Sequence, residues 1–309
     1  MKFEWNNVGQ REQLSLERLF LETDLLEVSF RNIQGMAIDR HEISVLDIRH
    51  IATGGAKRVY KVLLTNHETT CGVIALKMML DVKLDHSSYG VSFDEINDRS
   101  IAKMNQAALQ LNRRKPGLYP IFGGYWEWFT EAGKKLRIQT EEFIEGKTLG
   151  TLRRELEDQF VQRVLSFQEY DQEKMRLERQ AVAAYLHFWD ALDRQTFIND
   201  TAPWNVIFTK QEEVYHPTIV DLHGLTDTDS LSYVFQQLLH AYGFQEEIVK
   251  EVICGAFIDI FGQNEALSLL TELKSALQRK ADEEWKKAGV RLYRSPLKAL
   301  EDFLLSQRL

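Results

Sequence analysis

The sequence predicts an α+β chain, rich in strands in its first half and helical in its second. Three observations carry this. Alternating, β-branched segments crowd into residues 43–79 and 121–146. Helix-spaced apolar residues dominate from residue 147 onward. One stretch in the helical half, Phe197 to Gly224, breaks that spacing with two short apolar runs that carry an Asn at the start of one and an Asp at the end of the other.

The 309 residues suffice for one large domain or two lobes. A hydrophobic fraction of 44% and a charged fraction of 27% are ordinary for a globular protein. The net charge of -8 argues against nucleic acid as a partner, because such binders carry a basic stripe. Cys71 and Cys254 stand far apart without metal-ligand spacing and read as free thiols in a reducing compartment. Met1 to Asn7 lack an apolar signal core, and no apolar run reaches the length of a membrane span. The expected location is therefore cytoplasmic.

Residues 1–42 read as an N-terminal helical extension, with one or two amphipathic helices between Gln10 and Asn32. Three strands follow between Ile43 and Met79. Gly54-Gly55 sits at the turn between the first two. It reads as a plain hairpin turn or as a loop whose glycines let backbone amides approach a phosphate closely. Lys77 lies inside the apolar strand Val73-Ile74-Ala75-Leu76-Lys77-Met78-Met79. A charge buried there without a partner costs on the order of several kcal/mol. Lys77 therefore either snorkels from an edge strand or meets a carboxylate. Phe93 to Leu111 has helical spacing, with Ser92 and Glu95 as a capping pair.

Ile121 to Phe129 and Lys135 to Gly146 read as a hairpin around Ala132-Gly133. Helices are expected over Leu152 to Tyr170 and Lys174 to Leu192, with His187 as a packed helix residue. Then comes Phe197 to Gly224. Asp200 is followed by Asn205, which opens the apolar run Val206-Ile207-Phe208, and the run Thr218-Ile219-Val220 ends in Asp221. Two short strands would form a hairpin presenting Asn205 and Asp221 on one side. A carboxylate beside an acceptor hydroxyl, with a carboxamide and a second carboxylate holding Mg²⁺, is the layout of phosphoryl transfer. Beyond it, Asp227 to Tyr242 reads as a helix opened by Asp227 and Asp229, which either cap it or bind a cationic acceptor. Three further helices are expected, over Glu246 to Phe261, Ala266 to Lys287 and Pro296 to Gln307.

Asn199-Asp200-Thr201-Ala202-Pro203-Trp204-Asn205 and Ile219-Val220-Asp221 resemble the catalytic and metal loops of the protein-kinase-like superfamily. They are most similar to its small-molecule branch of aminoglycoside phosphotransferases and choline kinases, which read H-[GN]-D-x-x-x-x-N and I-[IV]-D. The chain departs from that pattern at Ile198, where the family carries His. Gly54-Gly55-Ala56-Lys57-Arg58-Val59-Tyr60-Lys61-Val62 resembles the family's glycine-rich loop, and Glu142-Phe143-Ile144-Glu145-Gly146 its hinge. The resemblance spans residues 43–224 and implies a two-lobed kinase-like fold. Residues 43–146 would form the N-lobe, residues 147–309 the C-lobe, and the cleft would hold the nucleotide.

It further implies an ATP- and Mg²⁺-dependent phosphotransferase acting on an unidentified hydroxyl acceptor. Lys77 would orient the α/β-phosphates, held by Glu95, whose distance along the chain fits the family's ion pair, with Asp94 and Asp98 as alternatives, and amides near Gly54 and Gly55 would cover them. Backbone near Glu142, Phe143 and Ile144 would meet the adenine. Asn205 and Asp221 would hold Mg²⁺, and Asp200 would accept or orient the acceptor proton. Two other readings stay open. One is a pseudokinase scaffold for a protein partner, which Ile198 and Ala202 favour. The other is a protein kinase, which the lack of an APE-like segment after Gly224 disfavours.

Overall fold

The computed structural model describes the chain except residues 36, 40, 42, 54–56, 67–68, 80–97, 130–134, 213, 223, 229, 289–292 and 308–309. The fold mixes strands and helices and divides into two compact units. The first is Met1–Arg113 with Tyr119–Ile144, and the second is Arg114–Leu118 with Glu145–Leu309.

The first unit is built on a six-stranded sheet. Its strands are β1 (Lys2–Asn6), β2 (Val45–Thr53), β3 (Lys57–Asn66), β4 (Thr69–Met79), β5 (Phe122–Phe129) and β6 (Lys135–Glu142). Their spatial order is β1-β2-β3-β4-β6-β5. All pairings are antiparallel except β1 with β2. The three expected strands and the hairpin are therefore present. β1 is an addition. Its residues alternate in burial, and Phe3 and Trp5 pack against the core.

Helices α1 (Gln10–Glu22) and α2 (Leu25–Gln34) pack into the same core as the sheet. Period-two alternation turns Tyr60, Val62, Ile74, Leu76 and Ile138 toward Phe20 and Phe30 of these helices. α2 lies across β4, β5 and β6. It is tied there by a buried Ser29–Thr140 hydroxyl contact of 2.7 Å and by Asn32 Nδ2 donating to the Gly123 carbonyl at 2.6 Å. α3 (Asp98–Arg114) follows, and Asn112 near its end anchors the next segment. Asn112 Nδ2 donates to the Tyr119 and Pro120 carbonyls, and its Oδ1 accepts from Phe122 N.

The second unit carries β7 (Lys147–Thr148), α4 (Leu149–Val161), α5 (Phe167–Ala191), β8 (Thr196–Ile198), β9 (Val206–Gln211), β10 (Val214–Ile219) and β11 (Leu225–Asp227). α6 (Leu231–Tyr242), a π-helical turn at Ile248–Cys254, α7 (Gly255–Ala288, kinked at Gly262) and α8 (Arg294–Ser306) complete it. The continuous helix expected over Leu152 to Tyr170 is broken. α4 ends at Val161, and α5 restarts behind a capping box in which Ser166 and Glu169 satisfy each other's backbone amides.

α5 packs on α4, on the π-helical turn and on α7. Arg179 grips Asp259 on α7 through two 2.7 Å bonds. Arg153 on α4 pairs with the buried Glu178 on α5 at 2.9 Å, and burial pushes the Glu178 carboxyl above its usual range. Cys254 is a buried free thiol whose pKa burial raises, so it stays protonated. Among the described residues no helix is long and apolar enough to cross a membrane.

Candidate functional site

In the first unit the chemistry gathers around Lys77. β4 lies between β3 and β6, so Lys77 is not on an edge strand and cannot snorkel. Its register partners are Val59 on β3 and Gln139 on β6, and Ala75 pairs with Lys61 and Glu141. Strand periodicity puts all six on one face, opposite the face that packs on the helices. Lys77 is 5% exposed and Glu141 is 1% exposed.

The two form an ion pair through Glu141 Oε2. Glu141 Oε1 accepts from the Tyr119 hydroxyl and from Gln139 Nε2. Gln139 Nε2 also lies 3.3 Å from the Tyr119 hydroxyl, and the Lys77 ammonium sits 5.7 Å from the centre of the Tyr119 ring. A charge this deep survives only when paired and hydrogen-bonded, and this network does both.

The buried strand lysine thus has its carboxylate, on a neighbouring strand. Glu95, the partner expected from the sequence, lies outside the described residues, as do Asp94, Gly54 and Gly55. Asp98, the other alternative, is the first residue of α3. β2 ends at Thr53 and β3 begins at Lys57, and the two strands pair.

The expected hinge follows β6. Glu142 N donates to Ile121 O at 2.9 Å, and Glu142 Oε2 accepts from Ile121 N at 3.2 Å. Glu142 thus closes the β5–β6 hairpin at its base. Phe143 and Ile144 are half-buried, and Lys61 Nζ lies 4.3 Å above the Phe143 ring.

In the second unit the expected hairpin forms. β9 and β10 pair from Ile219–Val206 outward, and Val220 N donates to Asn205 O at 2.9 Å. Asn205 and Asp221 therefore flank the base of one hairpin. The turn Pro203–Asn205 is a single 3-10 turn that buries Asn205. Asn205 Nδ2 donates to Asp200 O at 3.2 Å, and Asp200 Oδ1 accepts from Ala202 N at 3.2 Å. Asp200 and Asn205 are thus bonded to each other, and Asp221 directly follows the residue whose amide bonds Asn205.

Beneath them lies Tyr185 of α5, fully buried, with its hydroxyl 3.5 Å from Ala202 O. Burial raises the Tyr185 phenol well above its ordinary pKa, and the charges of Tyr242, Asp200 and Asp221 add to the rise. Both carboxylates therefore act on the same buried ring. Thr201 Oγ1 fastens the loop to α6 through Gln237 O at 2.9 Å.

Either side of the loop is anchored by strand pairing. β8 pairs with β11, with Ile198 opposite Leu225. Ile198, where the resembled loops carry His, is fully buried in that pair, so an apolar contact fills the position. Asn199 N donates to Gly224 O at 3.0 Å. Asn199 Oδ1 accepts from Thr226 Oγ1 at 2.9 Å and from the Tyr233 hydroxyl. The helix expected from Asp227 starts later. Asp227 ends β11 and accepts from Thr196 Oγ1, and Ser230 caps α6 through Tyr233 N. Asp229 lies outside the described residues.

Sequence reasoning missed Glu141, Gln139, Tyr119 and Tyr185. Only the alternation of Gln139 and Glu141 on one strand face was visible as a signal. Among the described residues no group of three or more His, Cys, Asp and Glu side chains could hold a metal ion unaided. No protein-family model matches the chain, and no curated protein matches it.

Gly146 ties this half to its neighbouring strand. A Cβ there would lie 2.4 Å from the Phe208 carbonyl oxygen and 2.8 Å from Ile207 Cγ2, both on β9. Gly146→Ala is expected to push β9 outward and cost about 1–3 kcal/mol, the usual range for overpacking. Urea unfolding measures this, and an unchanged midpoint would show that β9 yields freely.

Proposed function

We propose that this chain is an ATP- and Mg²⁺-dependent phosphotransferase with a two-lobed, protein-kinase-like architecture, moving the γ-phosphate to a hydroxyl of a small molecule. The observation that carries the reading is the placement of Asp200, Asn205 and Asp221 at the base of the β9–β10 hairpin, with Asn205 bonded to the Asp200 carbonyl and, through its own carbonyl, to the amide of Val220 just before Asp221.

The donor set fits a hard cation. Asn205 spends its Nδ2 on Asp200 O, so Oδ1 is the atom it would offer a cation, with the Asp221 carboxylate the second oxygen donor of the proposed set. Mg²⁺ prefers oxygen donors and needs few from protein when phosphates supply the rest. Bound there, the ion would neutralise charge on the nucleotide phosphates. The chain's own residues do the positioning. Lys77 presents an ammonium to the α/β-phosphates, Asn205 and Asp221 offer oxygens, and Asp200 accepts or orients the proton of the acceptor hydroxyl. After Asp221 the chain enters β11 and then α6 at Leu231, with little length for an extended activation segment. That supports a small acceptor over a protein.

Calorimetric titration with ATP, with and without Mg²⁺, tests the reading on the wild type and on Lys77→Ala. Binding is expected to need Mg²⁺ and to weaken about ten- to hundredfold in Lys77→Ala, the size of a charge-assisted hydrogen bond. Circular dichroism checks that Lys77→Ala still folds, since it strands Glu141. No binding at millimolar ATP would overturn the assignment and favour a scaffold that binds a protein partner.

A further inference from the structure

We propose that Glu141 on β6 is the positioning residue that holds the Lys77 ammonium for the nucleotide phosphates. This rests on the phosphotransferase reading of Lys77. Glu141 is nearly as deep as any residue in its unit, and each of its oxygens is occupied. Oε2 takes Lys77, and Oε1 takes the Tyr119 hydroxyl and Gln139 Nε2. A carboxylate fixed from three directions cannot follow its partner, so its partner is fixed by it.

The geometry is set by the sheet. Glu141 is paired with Ala75, two residues before Lys77 on β4, so it stands diagonally across the ladder from the lysine. The pair forms whenever β4 and β6 pair, with no helix movement required. An ammonium has three N–H donors, and the bond to Glu141 takes one of them. The titratable groups facing Lys77 include Glu141 of β6 and Tyr119, with Lys61 on the same face of β3. The opposite role is masking, in which Glu141 would compete with phosphate for the lysine. The two roles predict opposite signs when the charge is removed.

The test is titration of the full chain with MgATP at pH 6.5, 7.5 and 8.5, on wild type, Glu141→Gln, Glu141→Asp and Tyr119→Phe. Glu141→Gln keeps the shape and an acceptor for Tyr119 but removes the Glu141 charge. A buried ammonium that loses a carboxylate at contact distance gives up its proton more readily. Affinity of Glu141→Gln is expected to fall at least about tenfold at pH 7.5, on the scale of a lost charge-assisted contact. The loss should deepen at pH 8.5, whereas wild type changes little across the series. Glu141→Asp should recover part of the loss.

Merely structural damage would not generate that alkaline limb. Unchanged or tighter binding by Glu141→Gln would overturn the proposal, since tighter binding is the signature of masking. If Glu141→Gln fails to fold, Tyr119→Phe carries the test. It keeps both charges and should weaken binding a few-fold, and unchanged affinity there overturns the proposal. A wild type that does not bind MgATP at all would instead remove the phosphotransferase reading, a result distinct from equal binding by wild type and variant.

Discussion

Asp200→Asn is expected to cut phosphoryl transfer by about a thousandfold, within the range that positioned acid–base groups contribute, while leaving MgATP affinity nearly intact. The separation of effects follows from the loop's bonds. The side chain contributes one structural contact, Oδ1 accepting from Ala202 N, and an asparagine oxygen can make it equally well. Asn205 is held by the Asp200 backbone carbonyl, which the substitution does not touch. What is lost is the charge. A neutral amide neither accepts a proton at neutral pH nor holds an acceptor hydroxyl as strongly as a carboxylate does. ADP release over a panel of amino alcohols, sugars and aminoglycosides reads the turnover, and calorimetry reads the affinity. Full turnover in Asp200→Asn would remove Asp200 from the catalytic role. Loss of binding and turnover together would instead mark it as a structural residue of the loop.

Much of the fold was legible because its signals are local. Alternation identified β2, β3, β4 and the β5–β6 hairpin, and 3.6-residue spacing identified α1, α2 and the late helices. The β9–β10 hairpin was legible because a polar turn separates two apolar runs, and Asn205 and Asp221 stand at its two ends. β1 was missed although Phe3 and Trp5 alternate, because its pairing is with β2, far along the chain. The break between α4 and α5 was signalled by Ser166 and Glu169, a capping box whose helix-forming neighbours hid it. Asp227 was misread for the opposite reason. Its acid resembles a cap, but the β8–β11 ladder captures it and Ser230 takes the capping role.

The partner of Lys77 was the least legible feature. The expected Glu95 lies outside the described residues, and the register between β4 and β6 brings a carboxylate the sequence did not point to, Glu141. Register is a property of the assembled sheet, set by turns and by which face is buried. Tyr119 was hidden in the same way, since it reaches Glu141 only because Asn112 pins the segment after α3.

Asp221→Ala should weaken Mg²⁺-dependent ATP binding by about a hundredfold, or about 2.7 kcal/mol, and leave metal-free ATP binding little changed. Asp221 is half-buried directly after the β9–β10 hairpin, one residue past the Val220 N to Asn205 O bond. Near a protein surface, opposite unit charges at contact distance attract by about 4 kcal/mol at an effective dielectric of about 20. Desolvation offsets part of that, which is why the expected loss is smaller than the bare attraction. The hairpin should survive the substitution, because its ladder from Val206 to Gln211 involves backbone groups that the Asp221 side chain does not supply. Removing the carboxylate should also relieve part of the upward pressure on the Tyr185 phenol, although burial dominates that shift. Titration with MgATP and with ATP in EDTA separates the two contributions. An equal loss in both would mean that Asp221 shapes the loop instead of holding the ion, and no loss in either would remove it from the metal set.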